Sequence, residues 1–323
     1  MLGILVGTAD GLLQVVPGEE PTRALEGRPV VALDYRDGMA VAAVAGQGVW
    51  VHLDPSWRQL ARTPTEGWAQ VWKGEARAVR ASPGGELYIG ADPAALFTVF
   101  PGAPGGNELG GLRGALLAEP PAPVAAPTRP RYVAGIAFAD SGPESALYVA
   151  VAGSGVWSTR EDGRGIERFE RRSSGLGTDL NGVWAHPERA GRVYASTGSG
   201  FYRSEDGGLT WVQSISGLDR SWAGSLAVVP GTPDVLLLGC ARREGGEVGA
   251  LFRSDNGGVN WKPVMLGSED TWKLAPLVTR LWDSEDTLFA VADAGLWGSH
   301  DGGRSWVELA SGLPPALSLT AAL

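Results

Sequence analysis

A recurring turn constrains the fold of this chain more than any other feature. Its copies are SEDGGLTW at 204–211, SDNGGVNW at 254–261 and SHDGGRSW at 299–306, so that their tryptophans lie 50 and 45 residues apart. Each copy follows a short apolar segment that contains an aromatic residue. Repetition at a period of about 20 to 50 residues is typical of proteins that are built from one stacked supersecondary unit.

Weaker copies of the unit lie upstream, and they can be recognised by the residue that takes the position of that aromatic. The series has seven members at intervals of 37 to 60 residues: Leu13, Trp50, Phe97, Trp157, Tyr202, Phe252 and Trp297. Short β-prone runs bounded by turn residues precede these members, and no segment shows a sustained helical period. Each unit is therefore expected to contain four strands, which is the composition of a β-propeller blade.

The sequence thus predicts an all-β fold, a single seven-bladed β-propeller with four-stranded antiparallel blades. The first unit lacks an inner strand, whereas PPALSLTAAL at the end of the sequence supplies a surplus one. We expect this C-terminal strand to complete the first blade and close the ring, which leaves no open sheet edge. The predicted blades are approximately 315–323 with 1–26, 27–64, 65–119, 130–175, 176–219, 220–269 and 270–314.

The longest interval contains a segment rich in proline and glycine, 101–130. Its composition predicts an extended excursion with one helical turn around LRGALLA. Two interpretations stay open, a lid or partner-binding arm on one side and a surface loop without a ligand on the other.

The recurring turn resembles the Asp-box, or BNR repeat, of sialidases, two-propeller xyloglucanases, sortilin-type receptors and photosystem II assembly factors. The resemblance implies that the turn joins the third and outer strands, that its carboxylate binds backbone amides and that its Trp packs between blades. Residue chemistry favours such a structural cap, since glycines adopt left-handed angles and short polar side chains accept unpaired amides. Asn256 replaces the acid in one copy, which does not fit an essential acid. The predicted structural positions are Ser204, Asp206, Gly208, Trp211, Ser254, Asn256, Gly258, Trp261, Ser299, Asp301, Gly303 and Trp306.

The composition narrows the choice of partners. The chain has 27 Lys and Arg against 36 Asp and Glu, a formal charge of −9. This balance disfavours nucleic acids and anionic membranes, which bind clustered positive charge. The single cysteine, Cys240, lies in an apolar run and is expected to be structural. Because the first residues resemble a strand and no run reaches the ~18 apolar residues of a spanning helix, we expect a cytoplasmic, monomeric protein.

Catalytic arrangements are weakly supported. Sialidase-like chemistry implies an arginine trio, a Tyr–Glu pair and an Arg-Ile-Pro segment, and the sequence contains no Arg-Ile-Pro. The resemblance to xyloglucanases implies cleavage of glycan in a cleft between two propellers, whereas the seven units of this sequence supply one propeller. Glycoside hydrolysis needs paired carboxyls, and no pair stands out among the candidates Asp10, Asp92, Asp179 and Asp293. The three histidines lie in separate units, so we predict no metal, no cofactor and no catalytic residue.

A ligand is expected on the face opposite the recurring turns. The candidates are tryptophans in connections from outer to inner strands, arginines in a long loop and arginines on inner strands: Trp68, Trp72, Trp222, Trp272, Arg242, Arg243, Arg80 and Arg280. The tryptophans either anchor a ligand or pack between blades. Arg80 and Arg280 either form an anion site or pair with acids in the ring.

The leading hypothesis is a non-catalytic binding or assembly scaffold that holds a protein or glycan partner on this face. The alternative is a glycan-active hydrolase, sialidase-like or xyloglucanase-like, with acidic residues in the central channel. A flat aromatic face would favour the binder. A deep channel with two carboxyls at hydrolytic separation would favour the enzyme.

Overall fold

Short β-strands form nearly all of the regular structure. A computed structural model describes residues 3–54, 67–102, 105–119, 131–139, 146–160, 168–242, 249–266, 281–282, 287–292 and 295–322. Second and third strands, such as VLLLGCA (235–241) and GALFRS (249–254), are buried along almost their whole length. Burial of both faces of a strand is expected when its sheet packs between two other sheets.

The first eleven strands and one helix span residues 3–118. In chain order they are β1 (Gly3–Thr8), β2 (Gly11–Val15), β3 (Thr22–Ala24), β4 (Val30–Arg36), β5 (Met39–Val44), β6 (Gly48–Leu53), β7 (Trp68–Trp72), β8 (Ala76–Ala81), β9 (Leu87–Ala91), β10 (Leu96–Val99), β11 (Asn107–Glu108) and α1 (Gly110–Ala118).

The remaining seventeen strands span residues 133–322. They are β12 (Val133–Ala139), β13 (Ala146–Val151), β14 (Gly155–Arg160), β15 (Glu170–Arg171), β16 (Leu180–Ala185), β17 (Val193–Thr197), β18 (Gly200–Ser204), β19 (Val212–Gln213), β20 (Trp222–Val229), β21 (Val235–Ala241), β22 (Gly249–Ser254), β23 (Lys262–Val264), β24 (Leu281–Trp282), β25 (Thr287–Ala292), β26 (Gly295–Ser299), β27 (Val307–Ala310) and β28 (Ala316–Ala322).

These strands form seven four-stranded antiparallel sheets arranged as blades around a ring. Six blades use consecutive strands, and the first blade has the order β28-β1-β2-β3. In that blade Ile4 pairs with Ala321 and Val6 with Leu319, while Ser318 Oγ donates to the carbonyl of Val30 in the second blade at 2.9 Å. The predicted seven-bladed propeller and its closure by the C-terminal strand are confirmed.

The core is divided among the gaps between blades. In the described part of the chain, seven apolar clusters each combine side chains of two neighbouring blades. One example joins Val291 of the seventh blade to Leu13 and Leu319 of the first. A single blade therefore has no core of its own, and its burial depends on neighbours on both sides.

The predicted helical turn in the excursion is the nine-residue helix α1. Leu112 is fully buried between the third and fourth blades. After the helix, Glu119 accepts a hydrogen bond from Ser154 Oγ at 2.8 Å and pairs with Arg131 at 2.8 Å and Arg171 at 3.2 Å. These contacts fix residues 105–119 against the fourth blade, whereas 103–104 and 120–130 lie outside the described residues. In the described part, no helix has the length and apolarity that a membrane span requires.

The prediction that Trp68 and Trp72 lie in a connection from an outer to an inner strand was wrong. Both belong to β7, the outer strand of the second blade, where Trp68 pairs with His52 and Trp72 with Val49. The second blade therefore ends after Trp72 and not at 64. Because β6 ends at Leu53 and β7 begins only at Trp68, counting by interval assigns β7 to the next unit.

Candidate binding site at the mouth of the central channel

The turn at Asp206 uses its carboxylate to hold backbone and hydroxyl groups. Asp206 accepts from Ser204 Oγ at 2.8 Å, from Thr210 N at 2.9 Å and from Thr210 Oγ1 at 2.6 Å. The hydrogen bonds from Thr210 hold the pKa of Asp206 below its usual range. Gly208 has a positive φ of 83° and donates its N–H to Ser204 Oγ at 2.8 Å. The equivalent glycines are Gly258 and Gly303. A carboxylate held ionised in this way is a poor proton donor at neutral pH.

The other two turns repeat this pattern. Asn256 Oδ1 accepts from Ser254 Oγ and from Asn260 N, both at 2.9 Å. Asp301 accepts from the Ser305 hydroxyl at 2.6 Å and from the Ser305 amide at 2.9 Å, and these bonds lower the pKa of Asp301. Since an amide and a carboxylate make equivalent bonds, the position requires an oxygen acceptor.

The tryptophans that follow these turns lie against buried apolar side chains. Trp211 donates its indole N–H to the carbonyl of Arg172 in the preceding blade at 2.9 Å. Trp261 makes an edge-on contact with Phe201 of the preceding blade at 5.2 Å between ring centroids. Trp306 packs on the cluster between the sixth and seventh blades. The turns thereby place an aromatic at each of these gaps.

The opposite face carries the connections from each outer strand to the next inner strand, and we call it the connection face. A cavity of about 310 Å³ lies between the inner strands, towards this face. Its lining is mainly aliphatic and aromatic, and includes Leu33, Val79, Ile136, Trp184 and Leu319. Such a concave, mostly apolar cavity is the usual form of a ligand site.

A β-bulge recurs near the beginning of each inner strand of the first six blades. In the second blade, for example, Val30 pairs with Val44 and Ala32 with Ala43, so that Val31 is the extra residue. The corresponding residues elsewhere are Arg77, Ala134, Asn181, one of Gly224 and Ser225, and Leu317. All of them line the cavity. We call Val31, Arg77, Ala134, Asn181 and Leu317 the mouth residues.

The bulges have a sequence pattern that the repeat intervals do not reveal. In five blades the extra residue is the second of an apolar–variable–small–apolar tetrad, and the sixth blade carries the same tetrad: VVAL (30–33), ARAV (76–79), VAGI (133–136), LNGV (180–183), ALSL (316–319) and, in the sixth blade, AGSL (223–226). The small third residue is required where inner strands approach closely. A Cβ added to Gly135 would lie 3.1 Å from the Val183 nitrogen of the next blade.

The two arginines of the cavity are already paired. Arg80 Nη1 lies 3.0 Å from Asp34 Oδ1, and Asp34 Oδ2 accepts from Ala81 N at 2.8 Å. Arg77 donates twice to Asp92 Oδ2, at 2.9 and 3.2 Å. Of the two interpretations of Arg80, the structure thus provides an ion pair within the ring. No described residue of the lining is an Asp or Glu.

Two tryptophans of the fifth and sixth blades line the cavity, and each lies over a glycine of its own strand. Trp222, a predicted candidate, is the first residue of β20 and its ring lies against Gly224. Trp184, which sequence analysis did not select, lies on Gly182, where a Cβ would come within 2.4 Å of the indole. The two glycines therefore provide the space that these indoles occupy.

The remaining predicted residues do not meet at the cavity. Arg242 is exposed in the connection between β21 and β22, 3.9 Å from Asp219 Oδ2. Trp68 and Trp72 lie on an outer strand, far out on the blade. Arg243, Trp272 and Arg280 lie outside the described residues. Groups of three or more His, Cys, Asp or Glu side chains suited to a metal ion are absent from the part of the chain that the structure describes.

Sequence comparison finds partial similarity to two xyloglucanases, and no protein-family model matches the chain. The chain is 29% identical over 146 residues to a xyloglucanase of Hypocrea jecorina, which covers 44% of this chain and 17% of the enzyme. It is 30% identical over 149 residues to an oligoxyloglucan-reducing end-specific xyloglucanase of Emericella nidulans, 42% and 18% of the two chains. The chain therefore spans less than a fifth of the length of these relatives.

Three solved structures have a similar fold. The extracellular domain of a putative one-component system from B. thetaiotaomicron has a TM-score of 0.60 at 14% identity, over 91% of this chain and 36% of that one. YCF48 bound to D1 peptide has a TM-score of 0.58 at 15% identity, over 91% and 86%. An ancestral GH74 enzyme has a TM-score of 0.58 at 16% identity, over 94% and 39%. At these identities the similarity establishes that the chain shares the β-propeller fold.

Proposed function

We propose that the chain is a binding propeller that receives part of a partner protein at the mouth of its central channel. The mouth residues carry this proposal. They occupy the same bulge position on successive inner strands, while their side chains range from Ala to Arg. A rigid frame that presents different side chains at one position is suited to recognition.

The chemistry of the lining favours a protein over a glycan. Asn181 Nδ2 donates to the carbonyl of Ala223, and Ser318 Oγ donates to that of Val30. Both arginines are paired as well, so the charged groups of the described lining already have partners. A glycan would have to bury many hydroxyls against this surface, and buried hydroxyls without partners are costly. Apolar protein side chains match the aliphatic and indole surfaces instead.

Two similarities support the same conclusion. YCF48, one of the similar structures, is bound to a D1 peptide, and a polypeptide segment is the class of ligand proposed here. The hydrogen bonds of the Asp-rich turns also fit the Asp-box resemblance, which includes receptors and assembly factors as well as hydrolases. We retain that resemblance as part of the proposal.

A glycan-active hydrolase is the second candidate, because the two similar curated proteins are xyloglucanases. Such an enzyme needs two carboxyl groups about 5 to 9.5 Å apart. The described cavity lining contributes none, and Asp34 beneath it is held by Arg80. This candidate therefore depends on acids beyond the described lining.

A site-specific photo-cross-linker tests the binding function. A photoreactive phenylalanine derivative replaces Leu317 at the mouth, and in a matched chain it replaces Leu209 on the opposite face; both positions are exposed. We expect a distinct partner to cross-link from position 317 and not from 209, and Trp222→Ala to weaken that cross-link. A partner captured equally from 209, or unaffected by Trp222→Ala, would contradict the proposal. Release of reducing ends from xyloglucan by the unmodified chain would support the second candidate.

A further inference from the structure

We infer that the mouth selects an uncharged, apolar side chain of an extended polypeptide and that Asn181 accepts a hydrogen bond from the backbone of that segment. This inference rests on the proposed binding function. It adds the class of side chain that enters the channel and the residue that orients the chain carrying it.

The amide of Asn181 has a fixed orientation. Its Nδ2 lies 2.7 Å from the carbonyl oxygen of Ala223 in the next blade. Because a carbonyl oxygen only accepts hydrogen bonds, the amide nitrogen must face Ala223, and Oδ1 must face elsewhere. Asn181 lines the cavity, and no described group donates to its Oδ1. The site thus holds a pre-oriented acceptor, which matches a backbone N–H.

The other mouth residues offer no free charge. Val31, Ala134 and Leu317 are apolar, and Leu317 is 37% exposed at the rim. Arg77 is held by Asp92 in the adjacent turn of its own blade. A charged group that entered the mouth would lose its hydration and would find no free counter-ion among the described residues of the lining, which is unfavourable. The charge balance therefore selects an uncharged occupant, although the whole chain carries a formal charge of −9.

The position of Asn181 among apolar neighbours favours a polypeptide. One acceptor stands at the bulge of the fifth blade, and aliphatic residues stand at the same bulge of the first, second and fourth blades. An amino-acid residue presents this combination, one N–H beside one apolar side chain. Trp184 and Trp222 provide flat surfaces on the same wall as Asn181, against which an extended backbone packs.

A peptide array tests both parts of the inference. The probes are N-acetylated, C-amidated octapeptides with two adjacent randomised residues between Gly and Ser flanks. We expect the wild-type chain to select Leu, Ile, Met or Phe. N-methylation of the backbone at the selected residue should weaken binding to the wild-type chain about tenfold, because it removes the hydrogen bond to Asn181. For Asn181→Ala it should weaken binding by less than about twofold, because that variant already lacks this hydrogen bond.

A charge placed at the rim provides a second variant that does not depend on Asn181. Leu317→Lys lies at an exposed position, and we expect it to shift the selection towards peptides that carry Asp or Glu next to the apolar residue. Leu209→Lys, on the opposite face and 53% exposed, serves as the matched control and should leave the selection unchanged.

Three results would overturn the inference: selection of charged side chains by the wild-type chain, an equal N-methyl effect in the wild-type chain and in Asn181→Ala, or a selection that Leu317→Lys does not alter. If a partner nevertheless cross-links from position 317, the binding function stands and the side-chain preference alone is wrong. If neither peptides nor a partner bind at the mouth, both proposals are wrong.

Discussion

At the scale of single residues, the Asp-rich turns show an acidic side chain that acts as a hydrogen-bond acceptor for its own turn. Asp206 and Asn256 accept hydrogen bonds from the same two positions of their turns. The amide keeps the oxygen that accepts these two bonds, but it lacks the second acceptor oxygen and the charge of the acid. The geometry of these turns is thus explained by the backbone amides that their side chains satisfy.

Substitution at Asp301 distinguishes the effect of the acceptor oxygen from that of the negative charge. Asp301→Asn keeps the acceptor oxygen, as at Asn256, but loses the bond from the Ser305 hydroxyl to the second oxygen, so we expect a loss of about 0.5 kcal/mol in the free energy of unfolding at pH 7. Asp301→Ala leaves the amides of Arg304 and Ser305 without their acceptor and should cost about 1 kcal/mol. Chemical denaturation of the three chains measures both differences. Equal losses in the two variants would contradict the acceptor role.

The pH dependence of stability provides a further prediction at Asp301. Hydrogen bonds from Ser305, and then from Ser299 and the Arg304 amide, lower the pKa of its carboxyl below the ordinary value of 3.8. The unfolded chain therefore binds this proton at higher pH than the folded chain does. The contribution is complete above the ordinary pKa and is lost as the pH falls through the folded-state pKa. We expect wild type to lose stability faster than Asp301→Asn below about pH 4; parallel curves would contradict this.

At the scale of strands, the inner-strand bulges show where sequence reasoning fails. A strand alternates its side chains with a period of two, and a tetrad such as LNGV fits that period without any sign of an inserted residue. Only the pairing with the next strand shows that Asn181 is the extra residue. Trp68 and Trp72 were misplaced for a related reason, since a long connection inside a blade cannot be distinguished by counting from one between blades.

A buried ion cluster joins the fifth and sixth blades on the face of the Asp-rich turns. The carboxylate of Asp234 is fully buried, with His186 Nε2 at 3.1 Å, Arg192 at 2.5 Å and Arg189 at 3.2 Å. His186 Nδ1 accepts from two backbone amides, so that its proton lies on the nitrogen that faces Asp234. Burial raises the pKa of Asp234, but the bonds from His186, the Gly231 amide and Arg192 outweigh it and leave that pKa lowered.

Removal of this charge should weaken the contact between the two blades. Asp234→Asn leaves Arg192 without its buried partner, and loss of one member of a buried pair costs about 3 to 5 kcal/mol. Arg189→Ala is the matched control, because Arg189 is 37% exposed and exposed pairs contribute at most about 1 kcal/mol. Thermal unfolding of both variants compares the effects. Similar small losses in the two variants would contradict a stabilising role of the buried Asp234 charge.

At the scale of the whole molecule, the fold was predictable and the site largely was not. The interval of the repeat and the surplus strand at the end of the sequence can both be found from the periodicity of the sequence. Together they imply a closed ring. Recognition depends on departures from that period, such as an Arg or an Asn where other blades carry Val or Ala. One sequence cannot distinguish these departures from ordinary variation, so Trp222 and Arg80 were selected while Arg77, Asn181 and Leu317 were missed.

Ring closure makes the last strand essential to the first. Deletion of residues 314–323 removes β28, which leaves the edge of β1 unpaired and exposes Ile4 and Val6. Loss of the buried Leu319 side chain alone should cost about 2 to 5 kcal/mol, and an unpaired apolar edge promotes association. We expect the truncated chain to self-associate in light scattering and to lose its cooperative thermal transition, and a synthetic peptide of residues 314–323 to restore both. Full-length Leu317→Lys is the control, since it alters β28 without removing its pairing. A truncated chain that stays monomeric with an unchanged transition would show that seven blades hold together without closure by β28.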